Sequence, residues 1–310
     1  MNSSPWVLLA AFLFACDDTT PSTSGTVSAP MPSDTASDDA DLVDAAIEDT
    51  ATADGEEAVE DTPPCAVTDE AVRCDHQTTF VGPSSESRTV HWQVPSGSPP
   101  VSGWPVVFAF HGSFLSGEGF FSAEAADLFG EYTQARVTAA LLDAGFAVLA
   151  PEADPPAAKY WDTNQPLYSG RWTDSPDHQL MIALFAQIEA GAFGPLDAQQ
   201  MFAMGLSSGG YMASRMAVAY PDRFERIAVA SASYATCAGP VCVIPSLSAE
   251  HPPTLLMHGS FDAIVPLWTA RLYDDRLTAA GAISRLVVVD GEGHAWIEDS
   301  PDQVVDWFRR

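Results

Sequence analysis

Hydrophobic and polar positions change their period several times along the chain, and each change marks an element. Residues 88–94 (Arg-Thr-Val-His-Trp-Gln-Val) alternate with a period of two, the pattern of an early antiparallel strand with one covered face. Residues 106–110 (Val-Val-Phe-Ala-Phe) are apolar without a break, as a strand covered on both faces requires. Further strands are read at 146–150, 200–204, 227–230, 254–257 and 285–289. Between them the period lengthens to that of a helix. One helix is expected over 134–144, with Val137, Leu141 and Leu142 on one side and Gly145 as its stop. Others fall at 176–190, at 209–220 before Pro221, at 267–280 and at 301–310. Strands alternating with helices imply right-handed crossovers and a mostly parallel sheet with helices on both faces. No repeat and no second linker interrupts residues 65–310, which are read as one α/β domain.

The first 64 residues obey a different rule. An apolar run from Trp6 to Ala15 is too short to span a bilayer and has the length of a signal-peptide core. It ends at Leu13-Phe14-Ala15-Cys16, which resembles the lipobox of bacterial lipoproteins. That resemblance implies a signal peptide over 1–15 and a lipid on Cys16, and hence export and attachment to a membrane through the lipid alone. Residues 17–64 are mostly Asp, Glu, Thr, Ser, Ala and Pro, so they cannot bury enough apolar surface to offset ordering entropy. Residues 16–64 are read as an extended acidic tether, with at most a weak amphipathic turn over 41–47.

Charge sharpens this division. The chain holds 42 acids against 13 Lys and Arg, a net of −29. Residues 1–64 carry 14 of the acids and no base; the remaining 28 acids and 13 bases leave −15 on residues 65–310. A field of that sign repels phosphate backbones and excludes nucleic acid as a partner. A hydrophobic share of 46% excludes wholesale disorder. Apart from Cys16 there are four cysteines, Cys65, Cys74, Cys237 and Cys242. An even number outside the cytosol predicts two disulfides. Three connectivities exist, and the local pairs 65–74 and 237–242 are preferred because both loops are short. No His stands at zinc-ligand spacing from them, so no metal site is expected.

Gly205-Leu206-Ser207-Ser208-Gly209 follows a buried strand directly and opens a helix, the setting a nucleophile elbow demands. The turn is so tight that the flanking residues must be small, and Ser207 is pushed out with its hydroxyl free. A serine hydroxyl needs a base to remove its proton, and the base needs a carboxylate to orient it. In this topology the order is Ser, Asp, His, each at the carboxyl end of a strand. Asp262 lies in the loop after the strand at 254–257 and His294 in the loop after the last strand. Asp222 and Asp290 are weaker alternatives for the acid. His76 and His91 are read as surface residues, His178 as a polar helix face and His251 as part of a proline-rich loop. His111 and His258 each precede Gly at a strand end, where imidazole serves a structural hydrogen bond. An oxyanion hole would use the backbone N–H of Ser208 and one from the His111-Gly112-Ser113-Phe114 loop, Ser113 first and Phe114 next.

With these residues placed, the chain resembles α/β-hydrolase esterases of the polyhydroxybutyrate depolymerase and feruloyl esterase type. The matching blocks are Phe-His111-Gly112, Gly-Leu-Ser207-Ser-Gly-Gly-Tyr-Met212-Ala with Tyr220-Pro221-Asp222-Arg-Phe224, Met-His258-Gly-Ser-Phe-Asp262-Ala-Ile-Val-Pro266, and Gly293-His294-Ala-Trp296. They span most of residues 105–300. The resemblance implies the α/β-hydrolase fold and ester hydrolysis by Ser207, His294 and Asp262 without a cofactor.

Substrate is the least determined feature. The loop between residues 151 and 176 carries Tyr160, Trp161, Tyr168 and Trp172, and it leaves the sheet at the edge that bears Ser207. These aromatics, with Phe114 and Trp296, are read as walls of an acyl or aryl pocket. The loop is too short and polar for a lipase-type lid. The sequence passes from His294 straight into its last helix, so small neutral esters with short or aromatic acyl groups are expected. Polyhydroxyalkanoate hydrolysis is the alternative, and a catalytically idle binding lipoprotein is the reading from another class. A monomer is expected.

Overall fold

In the computed structural model, which describes residues 63–82, 87–153, 159–164 and 170–310, period-two and period-3.6 segments become strands and helices in the expected order. The elements are β1 (Cys65–Val67), β2 (Ala71–Cys74), β3 (Gln77–Val81), β4 (Arg88–Gln93), β5 (Trp104–Phe110), β6 (Ser122–Glu124), α1 (Glu131–Asp143), β7 (Ala147–Pro151), α2 (Pro176–Glu189), β8 (Leu196–Leu206), α3 (Ser208–Ala219), β9 (Phe224–Ala230), β10 (Thr254–Gly259), α4 (Leu267–Ala279), β11 (Ser284–Val289) and α5 (Ser300–Phe308). The signal peptide, Cys16, the tether with its turn at 41–47, and Tyr168 lie outside the described residues.

Eight strands form one sheet in the order β11-β10-β9-β8-β5-β7-β4-β3. Every pair from β11 to β7 is parallel, and β4 and β3 continue the sheet in antiparallel fashion. The apolar run in β5 shows why no alternation was visible there. Val106, Phe108 and Phe110 enter one core with Leu184 of α2, Met212 of α3 and Tyr273 of α4. Val107 and Ala109 enter the other with Leu141 of α1 and Val304 and Trp307 of α5. Successive side chains point to opposite faces, and both faces are covered.

Three features were not anticipated, the first being the edge strand β3. A separate three-stranded sheet, β1-β2-β6, is too short and too exposed to show a period. β8 also begins at Leu196, ahead of the apolar run, with a register irregularity at Met201/Phe202. Both local disulfides are present. Cys65 and Cys74 face each other across β1 and β2, and Cys237 bridges Cys242 in the connection between β9 and β10.

The chain leaves β5 toward β7 on one side and leaves β8 toward β9 on the other. A crevice opens outside the carboxyl ends of strands where such a reversal occurs. Here it lies between the loops that begin at His111 and Ser207.

Candidate active site

Ser207 sits between β8 and α3 with φ 55° and ψ −119°, a conformation that L-residues avoid. The surrounding contacts over-determine it. The Ser207 N–H donates to the Ala230 carbonyl at 3.0 Å, and its own carbonyl accepts from Tyr211 at 3.0 Å. Strand and helix approach so closely that a Cβ on Gly209 would fall inside the Phe110 carbonyl, and one on Gly205 would meet the Gly209 backbone. The small residues on either side of Ser207 are therefore a steric necessity.

Asp262 and His294 meet. His294 Nδ1 lies 2.7 Å from Asp262 Oδ2. Asp262 Oδ1 accepts the N–H groups of Ile264 at 2.9 Å and Val265 at 2.8 Å, so the carboxylate is held along both edges. His258 Nε2 donates to the Val265 carbonyl at 2.9 Å and stands 3.3 Å from Asp262 Oδ2. Burial alone would raise the Asp262 pKa. Hydrogen bonds from His258 and His294, the charge on His294 and the Val265 N–H outweigh it, holding the carboxyl well below the usual carboxylate range.

A further residue ties His294 to the neighbourhood of Ser207. Ser231, also at positive φ (45°), follows Ala230, whose carbonyl holds Ser207. Ser231 Oγ donates to the Ala295 carbonyl at 3.0 Å and lies 3.2 Å from the Ala295 N–H. One backbone hydrogen bond to Ala230 and the Ser231 hydroxyl thus link Ser207 to the residue after His294. Nothing in the sequence marked Ser231.

The loop after β5 is held through His111, which is fully buried. Its Nε2 accepts the Ala153 N–H at 2.9 Å, so the proton resides on Nδ1 and is donated to the Gly112 carbonyl at 2.7 Å. Burial, against the pull of the Gly112 carbonyl and Glu152, lowers the His111 pKa and keeps the ring neutral. In a trans peptide the C=O and the following N–H point in opposite directions. Fixing the Gly112 carbonyl on His111 therefore turns the Ser113 N–H away from the ring. The Phe114 N–H is taken by the Lys159 carbonyl at 3.3 Å, which leaves Ser113 ahead of Phe114 as a donor. Ser208, at the first turn of α3, has an N–H with no intrahelical partner to serve. Glu152 secures the far end of the loop by accepting the Gly117 N–H at 2.8 Å.

Three expected pocket walls are corrected. Trp161 has no exposed surface: it packs edge-on against Phe110 and donates its indole N–H to the His111 carbonyl at 2.9 Å. Trp172 donates to Tyr220 Oη and Trp296 to Gln134 Oε1, and both are buried. An indole gains more from burying its ring with its N–H satisfied than from standing in a wet cleft. Phe114, by contrast, is 68% exposed. His91, read as a surface residue, is buried between His76 and Glu152. His178 and His251 are hydrogen-bonded to Tyr220 and Tyr273, and Asp290 accepts from Ser260.

Residues 84–297 match the protein-family model named Esterase. The chain belongs to the esterase family. This esterase is 44% identical to a poly(3-hydroxyoctanoate) depolymerase from Pseudomonas fluorescens over 239 residues, 76% of this chain and 85% of the relative. In fold it is similar to a ferulic acid esterase from Anaeromyces mucronatus, solved with ferulic acid (TM-score 0.58, 15% identity, 82% of this chain and 92% of that one). It is also similar to an acetyl xylan esterase from Aspergillus awamori (TM-score 0.57, 18% identity, 76% and 99%). The fold is that of the α/β-hydrolases, and the protein is a carboxylic ester hydrolase.

Proposed function

We propose that this esterase cleaves poly(3-hydroxyalkanoate) esters through a Ser207–His294–Asp262 triad. The observation that carries the triad is the Asp262–His294 hydrogen bond on the loops after β10 and β11, at the sheet edge where Ser207 holds its strained turn. Ser207 Oγ attacks the ester carbonyl while His294 Nε2 takes its proton, and Asp262 keeps the other imidazole proton on Nδ1. The Ser208 and Ser113 N–H groups receive the negative charge that develops on the carbonyl oxygen. Collapse expels the hydroxyl end of the neighbouring unit, which takes its proton from His294. Water, deprotonated by the same imidazole, then releases the acyl group as a free hydroxy acid.

The 44% identity to a depolymerase supports the polyester reading over small esters. The resemblance to the ferulic acid esterase is one of fold and carries no weight for aromatic acyl groups. Incubation with a poly(3-hydroxyoctanoate) suspension should clear it and release 3-hydroxyoctanoate. Ser207→Ala should abolish both this and labelling by a fluorophosphonate probe. A Ser207→Ala protein that still labels or clears the suspension would refute the assignment. For location, the two disulfides support export, and the lipobox resemblance supports a lipid on Cys16. Cys16→Ser should free the protein from membranes or leave its precursor uncleaved; a variant that fractionates like wild type disproves the anchor.

A further inference from the structure

Among the described residues six aromatic side chains are exposed: Phe80, Phe114, Phe129, Tyr160, Phe261 and Trp268. Phe80 stands on the edge strand β3. The other five belong to loops, or the loop end of a helix, at the carboxyl edge of the sheet. Phe114 follows Ser113, and its N–H bonds the carbonyl of the residue before Tyr160. Phe129 places its ring edge-on to His294, with centroids 5.9 Å apart. Phe261 precedes Asp262, Ile264 follows it by two residues and is 55% exposed, and Trp268 lies in the first turn of α4.

Backbone strain coincides with this set. Among the described residues, the non-glycine ones at positive φ are Phe114, Phe129, Lys159, Ser207 and Ser231. Ser207 and Ser231 are accounted for by the triad's geometry. Phe114 and Phe129 are held in a costly conformation whose result is an aromatic ring in water, and a chain accepts both costs only where the exposed ring has a use.

Charge identifies what the rings meet. The loops 111–117, 260–266 and 290–299 contain Asp262, Asp290, Glu292, Glu298 and Asp299 and no Lys or Arg. The cations beside these loops are already paired: Lys159 lies 3.8 Å from Glu152, and Arg136 bonds Glu298. An anionic lipid surface is repelled by such a rim, whereas a neutral polyester with alkyl side chains is not. We infer that Phe114, Tyr160, Phe129, Phe261, Ile264 and Trp268 form an apolar rim that docks the catalytic face directly onto the surface of a water-insoluble, neutral polyester. This rests on the reading of the substrate given above. It assigns the surface contact to the catalytic domain itself.

The test separates adsorption from catalysis. Full-length protein carrying Cys16→Ser, to remove any acyl chain, and Ser207→Ala, to stop hydrolysis, is mixed with poly(3-hydroxyoctanoate) latex, and the bound fraction is measured by sedimentation. The parent should bind. Adding Phe114→Ser, Phe261→Ser and Trp268→Ser should weaken adsorption at least tenfold, whereas Phe80→Ser should leave it unchanged. If the triple variant melts lower than its parent, Phe261→Ser and Trp268→Ser singly should each weaken adsorption two- to threefold. Unaltered adsorption in these variants overturns the rim. So does an equal loss in Phe80→Ser, or binding to phosphatidylglycerol vesicles as strong as binding to latex. A concentration-dependent dimer that the triple variant abolishes while still binding latex assigns the rim to a second copy and also overturns it. Because adsorption is read in a protein lacking Ser207, failure of the triad assignment leaves this outcome untouched, and the reverse holds.

Discussion

Asp262→Asn tests the triad through hydrogen-bond bookkeeping at two oxygens. Asp262 Oδ1 accepts from the Ile264 and Val265 N–H groups, and Oδ2 faces His294 Nδ1 at 2.7 Å. An amide in the same place must direct its oxygen at the two backbone donors, because its NH2 group has nothing to offer them. The NH2 group then faces His294 Nδ1. That nitrogen must present its lone pair, so the imidazole proton moves to Nε2, the atom that should take the proton of Ser207. The nucleophile loses its base while every heavy atom stays in place. Loss of the correct tautomer in a serine triad costs about 10⁴-fold in kcat, or about 5 kcal/mol at 1.36 kcal/mol per tenfold. The assay is kcat/KM on soluble p-nitrophenyl butyrate near pH 7, with thermal melting as the check on folding. A variant that melts like wild type and loses less than tenfold would refute the role given to Asp262.

Three other outcomes follow from the same geometry. Ser231→Ala removes both contacts to Ala295 and should lower kcat/KM about tenfold, the equivalent of one hydrogen bond of about 1.5 kcal/mol, with little change in KM or melting temperature. Arg88→Met removes the guanidinium from the buried Asp177 carboxylate and should cost about 3–5 kcal/mol in urea denaturation; a loss below about 1 kcal/mol would show the pair to be dispensable. The folded-state pKa of Asp262 is depressed, so its stabilising contribution is complete above its unfolded pKa of about 3.9 and is lost as pH falls toward the folded value. The stability gap between wild type and Asp262→Asn should therefore shrink on acidification below about pH 4, and a gap that is constant from pH 6 to pH 3 contradicts the shift.

The sheet was legible where the chain wrote it in long apolar runs. β5, β7 and β10 are buried on both faces, so nearly every position had to be apolar whatever its neighbours. β1, β2 and β6 have three or four residues and at least one exposed position each, too few for any period to emerge. The candidate site was legible because the tight turn at Ser207 needs glycines beside it, and because the paired Asp262 and His294 sit at the ends of later strands. Ser231 was not: it is a lone serine after a strand, and its use depends on Ala295 arriving from 64 residues away. The tryptophans misled for a chemical reason. A large apolar ring with one donor serves equally as a pocket wall or as a rivet, and only the acceptors at His111, Tyr220 and Gln134 decide for the rivet.

The loop after β5 shows why residue types alone stop short of mechanism. His111-Gly112-Ser113 is compatible with either orientation of the Gly112–Ser113 peptide, since glycine resists neither. The choice is made by Ala153 at the end of β7, whose N–H occupies His111 Nε2 and so forces the proton onto Nδ1, where it holds the Gly112 carbonyl. Trp161 braces the arrangement from above by donating to the His111 carbonyl through its ring and to Ser208 Oγ through its backbone. The connection after β7 therefore braces, through Trp161, the two segments that would supply the oxyanion donors. Its tryptophan turns inward to do so, and its neighbour Tyr160 is left exposed at the rim.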